Sequence, residues 1–134
     1  MASALAETLR EADEEVMLES ALRRFRRREM VRIVWRDLSG LADLDETLDE
    51  LSELADICIR QALDRLTAWA VAKSGVPRNA AGEPQQLIVL GMGKLGAREL
   101  NLSSDIDLIY CFPEHGHTDG RREIENEQFF TRIG

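Results

Sequence analysis

Apolar residues recur through the first half of the chain with a helical period. Leu5, Leu9, Ala12 and Val16 share one face, and Val31, Val34, Trp35 and Leu38 fall at i, i+3, i+4 and i+7. Together they predict helix over residues 3–38 with one break. Ser39-Gly40 ends the pattern, since glycine takes the left-handed cap conformation freely. Asp43-Leu-Asp-Glu46 then reads as a capping box, with a carboxylate at the cap and Glu three residues on. Behind it Leu44, Leu48, Leu51, Ala55, Cys58 and Ala62 alternate steps of four and three. The stripe extends to Lys73, a helix of about 45 Å at 1.5 Å per residue. Trp69, near its end, is read as a packing residue.

The period changes after residues 74–85, where Gly75, Pro77, Gly82 and Pro84 mark a linker loop. Gln86–Leu90 and Ile106–Phe112 are short, almost wholly apolar runs rich in Ile, Val and Leu, the pattern of strands covered on both faces. Pro113 stops the second run. A polar loop from Glu114 to Gly120 leads to a last helix, capped by Asp119 and carrying Ile124, Phe129, Phe130 and Ile133 as its apolar residues. The reading is α+β: a helical region over 1–73, a linker over 74–85, and a core over 86–134. Two strands leave a sheet short of partners, so the core is expected to continue past Gly134.

Composition narrows the class. A 134-residue chain with 44% hydrophobic and 31% charged residues is an ordinary globular one. It holds no apolar run near the roughly 20 residues of a membrane span, and its start lacks a signal pattern. The net charge of −8 argues against nucleic acid as a partner. Arg23, Arg24, Arg26, Arg27, Arg28, Arg32 and Arg36 nevertheless crowd together with only Glu29 among them. A solvated face pairing with the acidic helix that follows is the favoured reading of that run. Cys58 and Cys111 lie far apart inside apolar runs and read as buried free thiols of a reducing, cytoplasmic setting.

The chemistry concentrates in Leu87-Ile-Val-Leu-Gly91-Met-Gly93-Lys94-Leu-Gly96 and Ser103-Ser104-Asp105-Ile106-Asp107-Leu108-Ile109. On a strand Asp105 and Asp107 would project side by side while Ile106 enters the core. Adjacent carboxylates repel unless a cation sits between them, and hard oxygen ligands suit Mg²⁺, which usually takes only one or two of them. The glycine-led turn offers backbone N–H groups and the start of a short helix to phosphate oxygens. A dinucleotide fingerprint would need a crossover helix after the loop and an acid at the far end of the second strand. Only Ala97 to Ser104 separate Gly96 from Asp105, too few for that helix. A Walker A loop fails on spacing. A plain tight turn explains the glycines but not Ser-Ser-Asp-Ile-Asp. The remaining reading is nucleotidyl transfer, with Asp105 and Asp107 as Mg²⁺ ligands, Gly91, Gly93 and Ser104 along the phosphate path, and Lys94 donating to a phosphate oxygen. His115 and His117 have no further His or Cys nearby and read as an exposed loop.

The stretch from Gly91 to Ile109 resembles the signature of the bacterial glutamine synthetase adenylyltransferases, members of the polymerase-β-like nucleotidyltransferases. Arg23 to Leu38, the helix start at Asp43, Pro113-Glu-His-Gly116 and Glu127-Gln-Phe-Phe-Thr-Arg132 extend the resemblance to about residues 20–134. Ala97 departs from it, standing where a second glycine is usual. The resemblance implies Mg²⁺-dependent regulation of glutamine synthetase through AMP on a tyrosine, with ATP, ADP and phosphate as small-molecule partners. Asn101-Leu-Ser-Ser-Asp-Ile-Asp and Phe129-Phe-Thr-Arg look like the adenylyl-removing domain, where phosphate attacks the AMP–tyrosine link. It also implies a third metal-binding aspartate on a later strand, beyond Gly134, so that residues 1–134 alone are expected to be inactive. The alternative is a non-catalytic module of the same fold whose basic helix docks glutamine synthetase or a PII signalling protein.

Overall fold

The computed structural model describes residues 1–134. Its elements in chain order are α1 (Ala2–Thr8), α2 (Glu15–Leu38), α3 (Leu44–Ser74), β1 (Pro77–Asn79), β2 (Ile88–Gly91), α4 (Gly93–Gly96), β3 (Leu108–Cys111), β4 (Gly116–Thr118) and α5 (Asn126–Thr131). Long helices first and short strands after them make it an α+β chain. It divides into two compact units, each assembled from two stretches: 1–62 with 91–107, and 63–90 with 108–134.

In the first unit the expected helical break falls between α1 and α2. Leu5, Leu9, Ala12, Leu18, Ala21, Phe25 and Ile33 are buried. The stripe Val31, Trp35 and Leu38 is not: these are 70%, 69% and 79% exposed, and Val16 is exposed as well. The buried face of α2 runs instead through Leu18, Ala21, Phe25, Glu29 and Ile33. A carboxylate interrupts that row, so spacing of apolar residues alone selects the opposite face. Glu29 is tolerated there because it accepts hydrogen bonds from Arg32 Nε at 2.8 Å and Arg28 Nε at 3.1 Å. Burial pushes its carboxyl up, and the two arginines outweigh burial, holding it below the usual carboxylate range.

Of the charge run, Arg32 and Arg36 pair with the acidic start of α3, while Arg23 and Arg28 pair within α2. Arg36 reaches Glu46 and Glu50, each at 2.5 Å, and Arg32 reaches Glu50 at 3.2 Å. Between the helices, Gly40 stands at φ +66°, with Gly40 N–H donating to the Asp37 carbonyl and Leu41 N–H to that of Arg36. These two bonds make the Schellman termination. Asp43 caps α3 by accepting the Glu46 N–H at 2.8 Å. Along α3 the buried row is Leu51, Leu54 and Ile57 with Thr47 and Ser52, while Leu44 at the first turn is exposed.

The second unit has its core where Phe129, Phe130 and Ile133 meet Leu63, Leu66, Ala70, Val71, Leu87, Phe112 and Ile124. The segment read from sequence as loop contains β1, which pairs antiparallel with β4, Pro77 opposite Thr118 and Asn79 opposite Gly116. Gly116 is required at that position, because a Cβ there would lie 1.9 Å from the Arg78 carbonyl oxygen. Asp119 does not cap α5, which starts seven residues later with Glu125 at its cap. Its carboxylate instead accepts from Arg78 Nε at 2.6 Å and from the Val76 N–H at 2.7 Å. Those two donors hold its pKa below the ordinary range.

β2 and β3 form the other two-stranded sheet. They are not covered on both faces: Ile88, Leu90, Ile109 and Tyr110 are all exposed. Two paired strands satisfy each other's backbone while no further layer covers these side chains. Cys58 and Cys111 are free and partly buried, and burial raises the Cys58 thiol pKa. No helix is long and apolar enough to cross a membrane.

Candidate functional site

All six residues singled out from the sequence, Gly91, Gly93, Lys94, Ser104, Asp105 and Asp107, belong to the first unit. β2 ends at Gly91, Met92 caps the single turn α4, and Gly93 takes φ +53°. The turn is tight enough to require its glycines. A Cβ on Gly96 would lie 2.5 Å from the Gly91 carbonyl oxygen, and one on Gly91 would lie 2.9 Å from Leu95 Cγ. Leu95 is buried and anchors the turn, while Lys94 is exposed. The first N–H groups of a helical turn have no intrahelical acceptor; in α4 they belong to the glycine-led loop.

One backbone bond ties the turn to the acidic stretch: Met92 N–H donates to the Asp107 carbonyl at 2.9 Å. Asp105 and Asp107 precede β3 rather than lying within it, and both are exposed. Ile106 is 42% exposed and does not enter the core. Strand alternation therefore does not govern these three residues. Neither carboxylate is engaged by a cation or donor of the chain, which leaves both free to ligate. No group of three or more His, Cys, Asp or Glu gathers anywhere in the chain. Asp105 and Asp107 offer two oxygen-bearing side chains two residues apart, and Mg²⁺ usually takes only one or two such ligands.

The segment leading into the aspartates is fixed by Asn101. Its Oδ1 accepts from Ser104 Oγ at 2.7 Å, from Ser103 Oγ at 3.2 Å and from the Ser103 N–H at 3.2 Å. Its own N–H donates to Ser104 Oγ at 3.1 Å. The Ser104 hydroxyl is thus held by the loop, one residue from Asp105. Leu100 is buried beneath it. Ser104, Asp105 and Ile106 line a cavity of about 230 Å³ together with Arg26 and Met30 of α2 and Leu51, Ala55 and Cys58 of α3. Sequence reasoning did not single out Asn101 as an organiser, although Asn followed by Ser-Ser is a side-chain turn signal. It also passed over Arg98, which stands at φ +59° and for which composition offers no signal.

In the second unit His117 lies on β4, and the His115 ring meets Phe112 edge-on at 5.7 Å. Neither histidine joins a group of potential metal ligands.

The sequence profile of the glutamate-ammonia ligase adenylyltransferase family matches residues 1–134. Among curated relatives, a bifunctional glutamine synthetase adenylyltransferase/adenylyl-removing enzyme of Thioalkalivibrio sulfidiphilus is 52% identical over 100% of this chain and 14% of its own length. Proteins of the same description from Nitrosococcus oceani and Pseudomonas putida are 55% and 50% identical over 96% and 97% of this chain, each again over 14% of the relative. The chain belongs to the glutamate-ammonia ligase adenylyltransferase family. It spans about 14% of the length of the curated relatives it matches.

Proposed function

We propose that this sequence serves an enzyme that regulates glutamine synthetase by moving AMP on and off a tyrosine, and that it belongs to the part that removes AMP by phosphorolysis. The observation that carries the reading is the single bond from Met92 N–H to the Asp107 carbonyl. It sets a phosphate-seeking glycine turn against a carboxylate pair that no group of the chain neutralises. Family membership supplies the substrate class.

In this reading a phosphate oxygen attacks the phosphorus of the adenylyl group. The bond from that phosphorus to the tyrosine oxygen breaks, the phenolic oxygen takes a proton, and ADP leaves. The Gly93 N–H at the start of α4 orients a phosphate oxygen, Ser104, whose one proton is held by Asn101, lines the phosphate path, and the Lys94 ammonium offsets negative charge. Asp105 and Asp107 would hold Mg²⁺, which when bound supplies charge neutralisation on the phosphates. ATP, ADP and phosphate are the small-molecule partners, glutamine synthetase the protein partner, and the cytoplasm the setting. A purely docking role for the basic helix is less well supported, because Arg32 and Arg36 are occupied by Glu29, Glu46 and Glu50; a PII signalling protein as a partner rests on the resemblance alone.

The test is a chimera in which this sequence replaces the matching segment of the Thioalkalivibrio sulfidiphilus relative. Given adenylylated glutamine synthetase and phosphate, it should release ADP, and Asp105→Asn with Asp107→Asn should abolish that release. Losing several kcal/mol of charge stabilisation erases measurable turnover. Release of AMP in place of ADP would show hydrolysis and refute phosphorolysis. Undiminished turnover in the double variant would refute the roles of the aspartates.

A further inference from the structure

The same helix termination occurs twice in the first unit, with different residues at its critical position. At the end of α2 the left-handed residue is Gly40, which has no Cβ to strain. At the end of α4 the bonds repeat: Arg98 N–H donates to the Leu95 carbonyl at 3.0 Å and Glu99 N–H to that of Lys94 at 2.7 Å. The residue in the left-handed position there is Arg98, at φ +59°, the one non-glycine residue of the chain with positive φ. An L residue pays for that conformation, and strain of this kind persists only where the surroundings impose it.

The side chain of that residue is held from α3. Arg98 Nε lies 3.2 Å from Asp49 Oδ1, and its Nη1 lies 3.3 Å from Asp56 Oδ2. The two carboxylates are seven residues apart, two turns along one face of the helix. The guanidinium bridges them, and the buried Leu95 and Leu100 flank it in sequence. These pairs are largely solvated and add little to stability. Their effect is on position. The termination they secure binds the Lys94 carbonyl on one side, and on the other it launches the Asn101–Ser104 turn that delivers Asp105.

We propose that Arg98 is a positioning residue, clamped by Asp49 and Asp56 so that the glycine turn and the Asp105–Asp107 pair keep the geometry needed to bind a divalent cation. The proposal rests on the reading of Asp105 and Asp107 given above. The side chain need not touch the ion. It fixes the loop between the two halves of the site.

Coulomb's law gives the test its sign. Removing a cation from the neighbourhood of two carboxylates should tighten a divalent cation, so weakening after loss of Arg98 reports geometry rather than field. The experiment titrates Mn²⁺ alone into the chimera described above, followed by electron paramagnetic resonance of the free ion, with thermal melting in parallel. Arg98→Gly relieves the left-handed strain while removing the clamp. It should melt at or above the wild-type temperature yet bind Mn²⁺ about tenfold more weakly, the scale on which outer partners of a metal site act. Asp49→Asn with Asp56→Asn removes the clamp's anchors, so adding Arg98→Gly to that pair should weaken Mn²⁺ no further, and a full tenfold additional loss would overturn the clamp. Wild-type affinity in Arg98→Gly overturns the clamp. Asp105→Asn with Asp107→Asn separates the two claims. If that variant loses Mn²⁺ while Arg98→Gly keeps it, only the clamp falls; if it keeps wild-type binding, the metal site is wrong and the clamp falls with it.

Discussion

Replacing Glu29 with glutamine tests the account of why a carboxylate lies on the buried face of α2. The side chain is 10% exposed, whereas its partners Arg32 and Arg28 are 38% and 60% exposed. Glutamine keeps the shape and one acceptor but loses the charge that makes both hydrogen bonds strong. Breaking a fully buried pair costs about 3–5 kcal/mol because a charge is stranded. Here the arginines left behind remain solvated, and Arg32 keeps Glu50. The expected loss is therefore about 1–2 kcal/mol, the scale of one charge-assisted hydrogen bond, or roughly 5 °C in melting temperature for a chain this long. Linkage adds a second signature. The folded pKa lies below the ordinary value, so the carboxylate's contribution is present above the unfolded pKa and is lost as pH falls through the folded one. Far-UV circular dichroism melts should show the variant less stable at pH 7, with the gap closing as pH falls through and below the ordinary carboxylate range. Equal melting at pH 7, or a gap as wide at low pH, would refute the reasoning.

Two further substitutions probe the frame around the site. Asp43→Ala removes the acceptor for the Glu46 N–H and should cost about 1 kcal/mol, read by chemical denaturation; no change would mean water replaces the cap. Gly116→Ala places a methyl 1.9 Å from the Arg78 carbonyl, so the β1–β4 pair must part. Hydrogen exchange should then accelerate at Arg78 and His117, which stand opposite each other in the pair, and wild-type protection there would contradict the pairing.

Much of the frame is legible because its signals are local. The Ser39-Gly40 stop, the Asp43 cap and the run of α3 to Ser74 follow from single residues whose conformational preferences are strong. The glycine turn is legible for the same reason, whereas the strand geometry expected of Asp105–Asp107 fails because both precede β3. What sequence pattern misses depends on tertiary partners. Glu29 lies on a buried face only because Arg28 and Arg32 satisfy it, so apolar spacing points to Val31, Trp35 and Leu38 on the wrong side. β1 forms in a Gly- and Pro-rich segment because β4 supplies its partner. Asp119 looks like a cap but answers Arg78, 41 residues away. Arg98 carries no local signal, since an arginine is not a residue that favours the left-handed position and its side-chain partners Asp49 and Asp56 lie on another element.

The central claim, that Gly91–Gly93 and the Asp105–Asp107 pair form a metal-dependent nucleotide site, is tested most directly by calorimetry of nucleotide binding to the chimera with and without Mg²⁺. The account predicts that ADP or ATP binds only when Mg²⁺ is present, that Asp105→Asn with Asp107→Asn removes one Mg²⁺-dependent nucleotide site, and that NAD does not bind. Tight NAD binding indifferent to Mg²⁺, or Mg²⁺-dependent ADP binding unchanged in the double variant, would contradict it.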